Sequence, residues 1–305
     1  MSKIHILLYY KFVDIENPSE FVEKHMEFCK SIGLKGKILV SKEGINGSVS
    51  GTINQTEKYK EYLRSDSRFS DIVFKEDIGL THPFTKMAVR VKPEIIAMKK
   101  KVNLDNKAPY VEPSELREMY EKGEDFVIVD ARNDYEWKVG KFKNAITLPI
   151  KTFREFPDAV KRIEKFKNKK IITYCTGGIR CEKASAYLVE QGFENVFQLK
   201  DGILTYCKEF PEKDWEGKCF VFDKRVMSDV NGNKDEITSC EVCNGSCDLY
   251  RNCRSIGCNR FVVMCVSCED RMNGCCSDKC FSDFREQCVV KSRMKQGRRA
   301  LNVKN

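Results

Sequence analysis

Cys175, Gly177, Gly178 and Arg180 fall within six residues of one another, directly after the β-branched run Ile171-Ile172-Thr173-Tyr174. That combination can make a nucleophile, because a thiol reacts as its thiolate and a thiolate forms where positive charge and N–H groups converge. Paired glycines let a loop curl until successive backbone N–H groups face one point. The run from Cys181 to Gln191 predicts a helix, whose positive end adds to the same point. Arg180 supplies a fixed positive charge. A Gly-rich turn holding an inert, buried cysteine is the competing reading, and the concentration of Cys, two Gly and Arg in so short a stretch argues against it.

Four residues separate Cys175 from Arg180. The ring is tighter than the phosphate-binding loop of the Cys-based phosphatases and suits a sulfur-sized or thiol-borne group. Cys-x-x-Gly-x-Arg after a strand resembles the active-site loop of the rhodanese family. The longer string Tyr174-Cys175-Thr176-Gly177-Gly178-Ile179-Arg180-Cys181-Glu182-Lys183-Ala184-Ser185 resembles one branch of it, the tRNA uridine hydroxylases. The string Glu43-Gly44-Ile45-Asn46-Gly47 and a cysteine-rich end occur in the same order as in that branch.

The resemblance implies an oxygen-dependent conversion of the wobble uridine of tRNA to 5-hydroxyuridine, with molecular oxygen as co-substrate and the anticodon loop as partner. Cys175 is then the expected nucleophile, adding to C6 of the base, with Arg180 supporting charge and Cys181 resolving an oxidised Cys175. No flavin, haem or nicotinamide motif is visible. The rival reading is a sulfurtransferase that carries a persulfide on Cys175.

Around this loop the chain reads as three units. Residues 1–98 follow the order β-α-β-β-α-β: Ile4 to Phe12, Pro18 to Ile32, Lys37 to Ser41, Gly47 to Gly51, Gln55 to Ser65 and Ile72 to Glu76, with a further apolar run Met87 to Val91. That order predicts a ferredoxin-like (acylphosphatase-like) α+β domain. Gly44 and Asn46-Gly47 are the expected positive-φ positions of the turn between the middle strands. Within the family resemblance Lys42, Glu43 and Asn46 are candidate substrate contacts, and His82, Lys86, Lys92 and Glu94 are weaker ones at the end of the domain.

Residues 99–111, opening with Lys99-Lys100-Lys101, read as a basic linker. From 112 to 215, strands Phe126 to Asp130, Ile171 to Tyr174 and Asn195 to Leu199 alternate with helices, which predicts a rhodanese-like α/β domain with a parallel sheet. Asp130-Ala131-Arg132, followed by Tyr135-Glu136 and Gly140, resembles a second rhodanese signature. Asp130 and Arg132 either brace a loop or contact substrate. Lys141, Lys143 and Asp201-Gly202 depart from the usual family strings, at positions expected to lie clear of the Cys175 loop.

Beyond Glu216 the pattern is different. Eleven of the 16 cysteines lie between Cys240 and Cys288. So cysteine-dense a segment has little apolar content to bury, and thiolate metal sites built from Cys-x2-Cys pairs supply the missing stabilisation. Cys240, Cys243, Cys265 and Cys268 form the first-choice ligand set, and Cys253, Cys258, Cys276 and Cys280 an interleaved second, with zinc as the expected structural metal. Spacing alone does not decide the pairing, and reduced thiols under a helical lid are the competing reading.

The chain has 305 residues and a net charge of +9, which is compatible with nucleic acid. Met1 to Tyr10 reads as a first strand and not as a signal peptide, and no run is long enough to span a membrane, so a reducing, cytoplasmic setting is expected. Lys291 to Lys304 holds six basic residues and no acidic ones, a tail suited to phosphates.

Overall fold

The computed structural model describes residues 3–211, 213–223, 225–228, 238–258 and 260–288. The basic tail and the loop Asp229 to Asp235 lie outside the described residues.

The first unit comprises β1 (Ile4–Phe12), α1 (Pro18–Ser31), β2 (Lys35–Ser41), β3 (Gly44–Gly51), α2 (Ile53–Ser65), β4 (Lys75–Gly79) and β5 (Met87–Val91). Its sheet has the order β4-β1-β3-β2-β5, antiparallel except that β5 runs parallel to β2. Asn17 caps α1 ahead of Pro18, and Thr52 with Gln55 forms a capping box on α2, two local signals that start the helices where they do. Leu7, Tyr9, Ile38, Val40 and Val49 pack beneath the helices with Tyr59, Leu63 and Phe69. The alternate residues of β1, Leu8 and Tyr10, project from the other face, and that face lies against the second unit.

Two sequence expectations shift here. Ile72 is buried after a 3-10 turn and precedes the strand; β4 begins at Lys75. The hairpin between β2 and β3 is also tighter than Lys42 to Gly47, since Ser41 pairs directly with Gly44. Gly44 alone has positive φ, +140°, and a Cβ there would meet Lys11 O at 2.0 Å, whereas Asn46 and Gly47 are strand residues.

The second unit holds β6 (Tyr110–Val111), α3 (Pro113–Lys122), β7 (Val127–Asp130), α4 (Asp134–Trp137), β8 (Gly140–Phe142), β9 (Ile146–Thr147), α5 (Phe156–Ala159), β10 (Lys170–Tyr174), α6 (Ile179–Glu190), β11 (Asn195–Leu199) and α7 (Gly202–Glu209). Its parallel sheet has the order β6-β11-β10-β7-β9, so β10 is central and its residues from Ile171 onward are buried without alternation. The residues read as a linker are partly built into this unit. Ala108 N–H donates to Ser185 Oγ at 3.1 Å, Gln198 donates to Ala108 O at 2.8 Å, and Tyr110–Val111 adds the edge strand.

The third unit is attached by β12 (Trp215–Gly217), which pairs with β8. It continues with the hairpin β13 (Cys219–Phe220) and β14 (Met227–Ser228), the hairpin β15 (Tyr250–Asn252) and β16 (Phe261–Val263), α8 (Val266–Arg271) and helical residues 278–288. Phe220, Tyr250, Val262, Val263 and Met264 form a small core with Val139, against which Tyr135 packs. Among the described residues no helix is long and apolar enough to cross a membrane.

Candidate active site

β10 ends at Tyr174 and α6 begins at Ile179, so Cys175 to Gly178 form the loop at the C-terminal end of the central strand, where ligands of open α/β sheets gather. Gly178 has φ of +96°, and a Cβ there would come within 2.9 Å of the Tyr10 hydroxyl. It is glycine for its backbone and for the closeness of the first unit. The Gly178 N–H donates to Cys175 Sγ at 3.1 Å. The loop's carbonyls face the opposite way: Cys175 O accepts from Ile203 N–H at 3.0 Å and Thr176 O from Leu204 N–H at 3.2 Å. α7 therefore turns the loop's N–H groups toward the sulfur. Asp201-Gly202, expected to lie clear of the loop, is part of its support, since a Cβ on Gly202 would meet Cys175 O at 2.4 Å.

Burial raises the Cys175 thiol pKa, but the hydrogen bond from Cys181, the charge of Arg180 and the N–H groups of Arg180 and Cys181 outweigh it and bring it down to about 5. Cys181 is pushed up, first by burial and then by the neighbouring sulfur, so the proton they share stays on Cys181. Both sulfurs are buried and unbridged.

Arg180 is not an open charge. Its guanidinium is held by Glu136 at 2.5 and 2.8 Å and touches Thr176 Oγ1 at 3.4 Å. Glu136 is fully buried on α4, in the second signature, and its role as partner was not legible from spacing. Asp130 and Arg132 are also fully buried, paired at 2.7 Å, with Arg132 reaching Gly140 O at 2.7 Å and Tyr174 donating to Asp130. They brace the end of β10.

Residues of the first unit close over the loop. Gly177 faces Leu8 and Gly178 faces Tyr10, while Cys175 and Thr176 are 0% and 6% exposed. The closure is fastened by two neighbours on α6. Glu182 accepts from Tyr10 at 3.1 Å and Tyr110 at 2.6 Å and pairs with Lys107 at 3.0 Å. Lys183 pairs with Glu43 at 2.9 Å and Glu94 at 2.8 Å and donates to Ile96 O at 3.0 Å. Arg180 to Leu188 of α6 are all buried, so this part of the helix is covered on every side. Glu43 also accepts from Ile95 N–H at 2.8 Å, and Asn46 donates to Ile95 O at 3.0 Å. Glu43 is thus engaged between the units, Asn46 bonds within the first unit, and Lys42 is exposed at the hairpin tip. His82 bonds Ser50 at 3.1 Å, and Lys86 and Lys92 are exposed.

In the third unit the thiols of Cys240, Cys243, Cys265 and Cys268 lie within 4.8 Å of one another, as do those of Cys253, Cys258, Cys276 and Cys280. A tetrahedral zinc with bonds of about 2.3 Å sets its sulfurs about 3.8 Å apart. Cys243 and Cys265 are separated by 3.8 Å, Cys258 and Cys276 by 3.7 Å, and Cys276 and Cys280 by 3.6 Å. Cys265 N–H and Cys276 N–H donate to Cys240 and Cys253 Sγ at 3.4 Å, the bonds expected around charged sulfurs. The two sets alternate along the chain, so each would cross-link segments that the other flanks.

Comparison with known proteins places these observations in a wider set. Residues 4–95 match the model of the UPF0176 acylphosphatase like domain, residues 112–209 that of the rhodanese-like domain and residues 216–281 that of the rhodanase C-terminal region. A tRNA uridine(34) hydroxylase of Cytophaga hutchinsonii is 44% identical over 92% of this chain and 90% of its own length. One from Staphylococcus haemolyticus is 44% identical over 98% of this chain and 97% of its own. Among solved structures, the rhodanese-like domain of the Anabaena sp Alr3790 protein is 27% identical over 36% of this chain and 79% of its own, with a TM-score of 0.31.

Proposed function

The chain belongs to the tRNA uridine(34) hydroxylase family, and from that premise we propose that it hydroxylates C5 of the wobble uridine of tRNA, using molecular oxygen. The observation that carries this reading is the loop ahead of α6, where the Gly178 N–H donates to Cys175 Sγ at 3.1 Å, in a chain related to those enzymes along nearly its whole length.

A base in an anticodon loop is reached by unstacking it into a pocket. Cys175 Sγ then adds to C6 of the uracil, which moves electron density to C5 and O4. Loop N–H groups and Arg180 offset that charge. C5 takes up oxygen, and loss of the C5 proton expels the thiolate and restores the double bond. One oxygen atom remains as the hydroxyl and the other leaves as water. The two electrons that this requires come from Cys175 and Cys181, which pass from dithiol to disulfide with loss of two protons, and a thiol reductant reopens them.

The two cysteine clusters fit structural zinc, which would hold the third unit together where its core is small. Activity on tRNA sets the proposed location as the cytoplasm.

Incubation with tRNA under nitrogen should leave uridine unmodified, air should restore 5-hydroxyuridine, and labelled oxygen gas should place its label in the 5-hydroxyl group. Sulfur transfer from thiosulfate to cyanide without oxygen, and no label in tRNA, would replace this reading with persulfide chemistry.

A further inference from the structure

Phe222 is 59% exposed, although its ring centre lies 5.6 Å from the guanidinium carbon of the buried Arg180. A single apolar side chain on a surface calls for no explanation. Phe222 differs in being held by contacts on several sides beside the Cys175 loop. It sits between β13 and β14 in a turn closed by Val221 N–H to Val226 O at 2.8 Å and Val226 N–H to Asp223 O at 3.0 Å. Arg225 grips Asp223 at 2.7 and 3.0 Å and also pairs with Asp77 on β4, which ties the turn to the first unit. Phe220 roots it between the second and third units, with ring centres 5.1 Å from Tyr135 on α4, 5.7 Å from Tyr250 and 5.2 Å from Phe222 itself.

The turn is thus fastened on several sides and still leaves an aromatic ring open to solvent next to a loop cation. A flat apolar surface flanked by a guanidinium suits an unstacked base, whose ring can lie on the aromatic face. We infer that Phe222 is the platform on which the uracil of the extruded wobble nucleotide stacks beside the Cys175 loop. The inference rests on the tRNA reading above and deepens it, since neither the loop motif nor the family relation assigns this residue. Stacking accepts any base, so Phe222 sets the position of the ring and leaves base identity to other contacts.

Phe222→Leu keeps an apolar side chain and removes the aromatic face; Phe222→Trp keeps the face and reports on it. The exposed position makes both compatible with folding, which thermal melts would verify. Phe222→Leu should lower kcat/KM for tRNA by roughly ten- to hundredfold, the loss typical of one base-stacking contact, with Phe222→Trp near wild type. In a binding measurement without turnover, an anticodon stem-loop RNA with uridine at the wobble position should quench Phe222→Trp emission beyond the change in wild type, which has only Trp137 and Trp215. The same RNA with an abasic wobble position should not. Unchanged kcat/KM in Phe222→Leu, or quenching that is absent or equal for the two RNAs, overturns the platform. The binding arm requires no chemistry, so a wild-type protein that forms no 5-hydroxyuridine would overturn the hydroxylation reading while the quenching result still decides the role of Phe222.

Discussion

Glu136 and Arg180 meet in a buried two-point pair, at 2.5 and 2.8 Å, between the short helix α4 and the first turn of the helix that follows Cys175. The pair fixes the direction of the guanidinium, so that one positive charge serves both the carboxylate and the Cys175 thiolate. Removing one member leaves the other charged and buried. Glu136→Ala should therefore cost roughly 3–5 kcal/mol in denaturant unfolding, with Arg180→Ala in the same range. The double variant should lose clearly less than the sum of the two. Additive losses would mean that the pair contributes nothing as a pair.

The depressed pKa of Cys175 has a sign that can be checked. Its folded value of about 5 lies below the unfolded value of roughly 8.5, so the thiolate adds stability that is fully present above the unfolded value and lost as pH falls toward the folded one. The stability of wild type relative to Cys175→Ala should grow from pH 5 to pH 9. A difference that is flat or shrinks with pH would contradict a preformed thiolate. Cys175→Ala should also form no 5-hydroxyuridine, as read by nucleoside mass spectrometry.

Lys183 holds two carboxylates of the first unit against α6. Lys183→Met would leave Glu43 and Glu94 facing each other with no cation between them, and the closure over the loop should loosen. Alkylation of Cys175 by iodoacetamide should then accelerate by roughly tenfold, equivalent to about 1.4 kcal/mol in the opening equilibrium. Lys183→Arg, which keeps the charge, should stay nearer wild type. Equal rates in all three proteins would show that the interface does not limit access.

Two clusters of four thiols predict two bound zinc ions per chain, and a serine at Cys243 or at Cys258 should each remove one. Chelation should expose residues beyond Glu216 to protease while the rhodanese-like unit remains folded. Because Tyr135 packs against Phe220 and stacks on Phe261, and adjoins Glu136, metal loss should also reduce activity. Metal analysis near zero, with unchanged protease resistance after chelation, would rule the clusters out as zinc sites.

Local chemistry was legible in the sequence. A β-branched strand followed by Cys, paired Gly and Arg can fold into little other than an N–H-lined turn before a helix, because each residue restricts the backbone or supplies charge within a few ångströms. The split βαβ order of the first unit followed in the same way from alternation and caps, whereas spacing offered the two cysteine sets without deciding them and the fold brought each set together. What spacing does not encode is which distant groups meet. Glu136 lies 44 positions from Arg180, Glu43 lies 140 from Lys183, and Tyr10 lies 172 from Glu182. A lone Glu or Lys in sequence reads as a solvated charge, and only packing the first sheet onto α6 removes the water that would otherwise satisfy it. The same packing set Glu43, a candidate substrate contact, against Lys183 of the second unit. It also buried Cys175, set Leu8 and Tyr10 against Gly177 and Gly178, and left Phe222 exposed beside Arg180. Those outcomes belong to the tertiary structure because they depend on which surfaces are buried against one another, a property that no single segment carries.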